Sequence, residues 1–205
     1  MTARYVEILV EEPSMEAFLN VLLPRLLPAD RTFAIRAFRG KHGLLRELER
    51  RLRAYATWLP EDHRIVVMVD RDNDDCHVLK SQLEDTASQA GLLTRSRTTE
   101  RPWQLVNRIV IEELEAWYFG DWHAVQAAYP GVPAAIPGRA PYRDPDAIAG
   151  GTWEAFERIL IRYGYFTTGL RKVEAARSIA AHIDPARNRS HSFGLFVGAI
   201  AEASA

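Results

Sequence analysis

Four carboxylates fall within six positions of this sequence, directly after a hydrophobic run. The run Ile65–Val69 is apolar and mostly β-branched, and Asp70, Asp72, Asp74 and Asp75 follow it. On an extended segment Asp70 and Asp72 project to the same side, because side chains alternate with a period of two. Two carboxylates held that close favour a proton or a cation between them, and Mg²⁺ is the usual hard cation for oxygen ligands. We therefore predict a divalent-metal site where this run ends.

Acids follow two other predicted strands as well. Glu11 comes directly after the strand Tyr5–Val10, and Glu112 and Glu115 come after the strand Val106–Ile111. In a parallel sheet the ends of these strands lie on one edge, where ligands bind in open α/β folds. Convergence of acids from separate strands is what a one- or two-metal phosphoryl-transfer site needs.

Each acid also has a structural interpretation. Glu11 precedes a predicted helix and can interact with its positive end. Asp74 and Asp75 lie just before another helix, where capping is the better interpretation. For Asp70 and Asp72 we favour the metal, because the flank of a buried strand tolerates adjacent acids only when they have a partner.

Strands and helices alternate over residues 1–128, which predicts βαβ units and a parallel sheet. The predicted strands are Tyr5–Val10, Thr32–Phe38, Ile65–Val69 and Val106–Ile111, and the predicted helices follow an N-cap at Ser14 or span about Leu44–Tyr55, Cys76–Ala90 and Glu112–Phe119. Pro24 is expected to kink or end the first helix. We predict an α/β fold with a mostly parallel sheet flanked by helices.

The last third of the chain changes character. Residues 129–151 hold five prolines and several glycines, which predicts a long irregular connection, whereas residues 95–102 are predicted to form a shorter polar loop. Residues 152–205 carry helical patterns at Trp153–Tyr163, Lys172–Ile183 and Ser192–Ala203. We expect these C-terminal helices to pack on the core.

Bulk composition narrows the function classes. The net charge of −1 gives no global attraction to nucleic acid, so any such attraction must come from local arginine clusters. For Arg46–Arg53, the first cluster, a solvated helix face is the favoured interpretation. Cys76 is the only cysteine, which excludes an intrachain disulfide or a cysteine zinc cluster. The first residues lack the apolar core of a signal peptide and no run reaches membrane-spanning length, so we expect a cytoplasmic protein.

Other metal and phosphate motifs fail on particular residues. An EF-hand loop starting at Asp70 has Asp75 where glycine is needed and Ser81 where the bidentate glutamate is needed. The segment 38–43 lacks the first glycine and the spacing of a P-loop. No pair among the six histidines has zinc-ligand spacing.

Four segments carry a resemblance to known families. Val10–Glu16, Val69–Asp75, Glu113–Asp121 and Arg189–Phe193 are similar to motifs of the bacterial family catalogued as domain of unknown function 4276. A glutamate after the first strand, followed by Asp-x-Asp after a later one, also resembles the Toprim domain. That domain is shared by topoisomerases, primases, small nucleases and the nuclease half of overcoming-lysogenization-defect proteins.

The resemblance implies a metal-dependent nuclease site. Glu11, Asp70 and Asp72 would hold Mg²⁺ or Mn²⁺, and Glu115 would be a further ligand or an acid behind the ligands. Lys172 sits where related nucleases place a basic residue near the scissile phosphate, although a lysine on a helix face is an equal alternative. Glu12 replaces the glycine usual after the first glutamate, and its side chain would crowd the phosphate or add a ligand.

The resemblance also implies partners. A nucleic acid would be the substrate, and an AAA-type ATPase would be the partner, in defence against foreign DNA or in DNA processing. Two rival interpretations stay open. One is a non-catalytic Toprim-like subunit that docks onto an ATPase, and the other is a Mn²⁺-dependent nucleotide-sugar enzyme that uses Asp-x-Asp.

Overall fold

A single parallel sheet forms the centre of the computed structural model, which describes residues 3–98 and 102–204. Within these residues the strands are β1 Tyr5–Val10, β2 Thr32–Ala37, β3 His63–Asp70 and β4 Leu105–Val110. They lie in the order β2-β1-β3-β4, and every neighbouring pair is parallel. The predicted α/β fold is therefore confirmed, with a sheet that is entirely parallel. Residues 99–101 of the loop predicted over 95–102 lie outside the described residues.

Eight α-helices accompany the sheet in the described part of the chain. They are α1 Pro13–Leu26, α2 Gly40–Ala56, α3 Cys76–Gln89, α4 Leu114–Gly120, α5 Trp122–Ala128, α6 Thr152–Arg162, α7 Lys172–Ala180 and α8 His191–Ser204. The predicted C-terminal helices are thus present, and α5 is an additional helix. The proline-rich connection contains only two short 3₁₀ turns, Ile136–Gly138 and Ala140–Tyr142. None of the described helices is long and apolar enough to span a bilayer.

Strand β3 is buried on both faces, as its unbroken apolar run indicates. Val66 and Met68 face one layer, which contains α1 and the helices from α4 onward, whereas Val67 and Val69 face α2 and α3. Asp70 continues this alternation and so falls on the same side as Met68. The layering therefore decides which helices surround each acid at the end of the strand.

Several element boundaries differ from the predictions. Helix α1 begins at Pro13 with Glu12 at the N-cap, so Ser14 lies inside the helix and does not cap it. Proline has the φ angle of the first helical turn already fixed, and its missing N–H costs nothing there. Pro24 lies in the last turn, and the helix ends two residues later at Leu26.

The C-terminal helices share the larger hydrophobic core with α1 and α4. The indole of Trp117 stacks on Phe196 with ring centroids 5.2 Å apart. Arg25 donates hydrogen bonds to the carbonyl oxygens of Ala180 at 2.9 Å and Ile183 at 2.7 Å, which joins the end of α1 to α7. Helix α7 thereby brings its first residue, Lys172, towards the edge of the sheet where the strands end.

Candidate active site

Glu11 and Asp70 meet at the carboxyl edge of the sheet because their strands are neighbours. Val10, the last residue of β1, is paired with Met68 of β3. The Oε2 atom of Glu11 lies 3.4 Å from the backbone N–H of Asp70, which donates to it. Both carboxyl groups are buried. The structure therefore brings together two of the four predicted metal ligands, from strands separated by more than fifty residues.

Each of these two carboxyl groups resists ionisation. Burial raises the pKa of Asp70 well above its ordinary value, and the carboxylates of Glu11, Glu12 and Glu115 raise it further. Burial also raises the pKa of Glu11 to about 7, together with the carboxylate of Asp72, against the lowering effect of Lys41. When all of these acids are ionised, the edge holds more negative charge than its surroundings neutralise.

Glu115 joins this cluster from the first turn of α4, directly after β4. Its side chain is only 1% exposed, and its Oε2 atom has no hydrogen-bond partner among the described residues. Burial raises the pKa of Glu115 to about 7, although the positive charge of Lys172 opposes the shift. Neighbouring Glu113 is engaged elsewhere, because its Oε2 accepts hydrogen bonds from Thr152 Oγ1 and Trp153 N–H.

Asp72 does not continue the strand, which corrects the geometry expected from the sequence. The strand ends at Asp70, and Asp72 has a left-handed φ of 48°. Its side chain is 44% exposed, and its Oδ2 lies 2.7 Å from Lys41 Nζ. The alternation that would place both aspartates on one side applies only to extended backbone. Asp72 is still close enough to Glu11 to raise its pKa.

Lys41 is a site residue that the motif search did not identify. It lies in the first turn of α2, and its ammonium group contacts Asp72, Asp74 at 2.9 Å and the carbonyl oxygen of Arg71 at 3.0 Å. The segment around Lys41 lacks the pattern of a P-loop. It follows the end of β2, so the strand-end rule that selected the acids would have selected this lysine too.

Lys172 contacts the acids from α7, whereas Lys41 contacts them from α2. Its ammonium nitrogen lies 3.9 Å from Glu12 Oε1 and 5.1 Å from the ring centroid of Trp153. Burial lowers the pKa of Lys172, but the carboxylates of Glu115 and Glu12 raise it by more, so the net pKa is raised. Glu12, the residue in place of the usual glycine, therefore contacts a lysine at the site.

The remaining acids of the motifs have structural roles. Asp75 caps α3, with its Oδ1 accepting from the N–H groups of His77 at 2.8 Å and Val78 at 3.1 Å, as predicted. The capping role predicted for Asp74 is wrong, because that side chain binds Lys41. Glu112 forms an ion pair with Arg71.

The donor atoms at this edge suit a hard divalent cation, since all of them are carboxylate oxygens. Buried Glu115 Oε2 has no partner in the described part of the chain, and two lysines face five acids. Within residues 3–98 and 102–204, however, no three side chains of His, Cys, Asp or Glu lie close enough together to hold one ion. Asp72 is turned towards Lys41, so Glu11, Asp70, Asp72 and Glu115 are not assembled around one ion, and their role as metal ligands stays a prediction.

A cleft of about 650 Å³ opens at Asp72, whereas Glu11, Asp70 and Glu115 are not among its lining residues. Asp72, Glu113 and Trp153 line it, together with the end of the proline-rich connection at residues 146–151. The side chain of Asp146 fixes that segment, because its Oδ2 accepts from the N–H of His191 at the start of α8. The irregular connection thus forms one wall of the cleft.

Comparison with known proteins gave one match. A family model described as "Domain of unknown function (DUF4276)" matches residues 10–201. No curated protein and no solved structure matched the chain.

Proposed function

The chain belongs to the DUF4276 family, and we propose that it is a divalent-metal-dependent phosphodiesterase of Toprim type that acts on nucleic acid in the cytoplasm. One observation carries the proposal. Glu11 and Asp70 are buried carboxyl groups at the ends of adjacent parallel strands, and the carboxylate of Glu11 disfavours the ionisation of Asp70. Such a pair is costly to keep without a cation.

The residues at the edge divide the work of hydrolysis between them. Asp70, Asp72 and Glu11 would hold Mg²⁺ or Mn²⁺, which would lower the pKa of water and offset the charge on the phosphate. Glu11 would take a proton from the attacking water. Glu115 would support the site from behind these acids.

The two lysines supply positive charge near the acids. Lys172 lies beside Glu12 and Trp153, where its ammonium group would face a phosphate oxygen. Lys41 lies beside Asp72 and would offer a second positive charge to the phosphate. Positive groups placed where negative charge develops stabilise the transition state.

The decisive experiment replaces both aspartates of the pair. The Asp70→Asn/Asp72→Asn double variant should lose Mn²⁺- or Mg²⁺-dependent cleavage of labelled DNA and RNA by about 10³-fold or more. Asp75→Asn is the matched control, because it lies in the same acidic run and asparagine also caps helices. Wild-type cleavage rates in the double variant, with circular dichroism unchanged in both proteins, would exclude the proposed site.

A second candidate function has one observation in its favour. Lys41 neutralises Asp72 and Asp74 from within the protein, as a resident cation would. This favours a Toprim-like subunit that binds an AAA-type ATPase without cutting nucleic acid. Isothermal titration with Mn²⁺ separates the two functions. The enzyme gives a heat of Mn²⁺ binding that is lost in the Asp70→Asn variant. The silent subunit shows no Mn²⁺ binding in either the wild-type protein or the variant.

A further inference from the structure

A groove rich in arginine lies next to the carboxyl edge of the sheet, here called the carboxylate edge because Glu11 and Asp70 meet there. The groove runs between the end of β2 and the first three turns of α2. It has a volume of about 340 Å³. Its charged lining residues are Arg36, Arg39, Arg46, Arg51, His42 and Glu47. We propose that this arginine groove binds the phosphate backbone of a nucleic-acid strand and leads it to the acids, an inference that rests on the proposed function.

The positive charge of the groove is largely available to a ligand. Among the described residues none forms a salt bridge with Arg39, which is exposed. Arg46 is 68% exposed, and its contact with Glu47 is long, with Nη2 3.8 Å from Oε1. Arg36 uses its Nε on buried Glu7 but remains 54% exposed. The exposed Arg46–Glu47 contact contributes little, so a phosphate competes with it easily, whereas Arg36 keeps its Nε on Glu7.

One arginine of the groove is held in a fixed orientation. The guanidinium carbon of Arg51 lies 5.1 Å from the ring centroid of Phe38, in a cation–π contact. A guanidinium group held in this way keeps donors in a fork that matches phosphate oxygens.

The groove is bonded directly to the strand that carries Glu11. The N–H of Phe38 donates to the carbonyl oxygen of Val10 at 2.9 Å, and the N–H of Gly40 donates to that of Glu11 at 2.8 Å. Lys41, which follows Gly40, contacts Asp72. A nucleic-acid backbone that leaves the groove at Arg39 therefore arrives at Lys41 and the acids.

Arginine in this number favours phosphate over other anions. Its planar donors bind phosphate in pairs, and arginines along a groove match the regular charge of a polynucleotide. The whole protein has a net charge of −1, so this local cluster must supply the attraction itself. An acidic protein partner is the competing occupant of the groove. If that partner is the true ligand, groove variants will not change nucleic-acid binding.

The test measures binding in EDTA, so that no cleavage contributes. Fluorescence anisotropy of labelled single-stranded DNA, duplex DNA and RNA is recorded between 50 and 200 mM salt. Over this range the affinity for a polynucleotide is expected to fall about 10²-fold or more. Arg39→Ala/Arg46→Ala should weaken binding about tenfold and flatten the log–log salt slope by about 1.5, as for two lost phosphate contacts. The three probes show which nucleic acid is preferred.

A matched control removes the same charge from the same helix. Arg50 and Arg53 lie on α2 outside the groove lining and pair with Glu47 and Glu49. Arg50→Ala/Arg53→Ala should change the affinity less than about threefold, by screened general electrostatics alone. Equal losses in the two double variants, or no binding by the wild-type protein at low salt, would overturn the groove.

Failure of the groove and failure of the proposed function give different results. Hydrolysis of bis(p-nitrophenyl) phosphate by wild-type protein with Mn²⁺ needs no groove. Hydrolysis without nucleic-acid binding overturns the groove and keeps the phosphodiesterase. Groove-dependent binding without any hydrolysis keeps the groove and overturns the phosphodiesterase.

Discussion

Two buried glutamates in this protein behave in opposite ways. Glu84, on α3, and Glu115, on α4, are both almost fully buried. Burial alone would raise the pKa of Glu84, but hydrogen bonds that include those from Ser96, Thr94 and Asn107 lower it to about 2. Glu115 has a pKa raised to about 7 by burial and an oxygen without a partner in the described chain.

The difference distinguishes a glutamate that is buried for structure, Glu84, from one that is buried for chemistry, Glu115. Asn107 Nδ2 and Lys80 Nζ lie 2.9 and 3.0 Å from Glu84, so the fold itself provides what a buried carboxylate needs. At the carboxylate edge the fold gathers Glu11, Asp70 and Glu115 and leaves part of that need unmet. Acids with strongly raised pKa values that the fold leaves without partners are candidates for function for this reason.

The largest expected effect concerns activity. Glu11→Gln should lower metal-dependent phosphodiester cleavage by about 10³-fold, since it removes a ligand and a proton acceptor together. Glu84→Gln should leave the rate within a fewfold of wild type, because the carboxylate of Glu84 binds Lys80 and Asn107 and is not part of the proposed site. Initial rates on one labelled oligonucleotide measure both. Equal losses in the two variants would erase the distinction between the two kinds of acid.

The next effect concerns stability. Glu84→Ala should reduce the free energy of unfolding by about 3 kcal/mol, because it leaves Lys80 and Asn107 without their buried partner. Urea denaturation at pH 7 measures the loss. A change below about 1 kcal/mol would place Glu84 with ordinary surface acids.

The pH dependence of Glu84 gives an independent check of the same interaction. Its pKa is lower in the folded state than in the unfolded chain, so its contribution is fully present above about pH 4.5. The contribution is lost as the pH falls towards 2. The gap in stability between wild type and Glu84→Ala should therefore narrow on acidification, and a constant gap would contradict the assignment.

Glu115 should show the reverse behaviour. Its folded pKa is raised to about 7, so ionisation disfavours the fold as the pH rises from about 4.5 through 7. In EDTA, Glu115→Gln should raise the free energy of unfolding by about 2 kcal/mol at pH 8 and change it little at pH 5. Urea denaturation at both pH values tests this, and destabilisation at pH 8 would show that Glu115 is satisfied like Glu84.

The smallest effect divides the acidic run itself. Asp75→Ala should cost about 1 kcal/mol, since it removes an N-cap that accepts two hydrogen bonds. Asp74→Ala should cost less than about 0.5 kcal/mol, because its exposed contact with Lys41 is one of several that this lysine makes. Thermal denaturation of both variants measures the difference. A larger loss at Asp74 would give that residue a structural role.

Local pattern was enough to predict where the strand-end acids lie. The apolar runs at Tyr5–Val10 and Ile65–Val69 predicted parallel strands, and parallel strands end at one edge. Glu11 and Asp70 follow from that rule alone. Asp75 followed from the preference for aspartate before a helix.

Tertiary structure decided how the charges at that edge are shared. Periodicity describes a strand only while it stays extended, so it did not predict the turn that sends Asp72 to Lys41. The approach of Lys172 to Glu12 depends on how α7 packs against α1, which involves residues more than 150 positions apart. Sequence proximity carries no information about such contacts, because packing of distant helices sets them, and they determine which acids remain unneutralised.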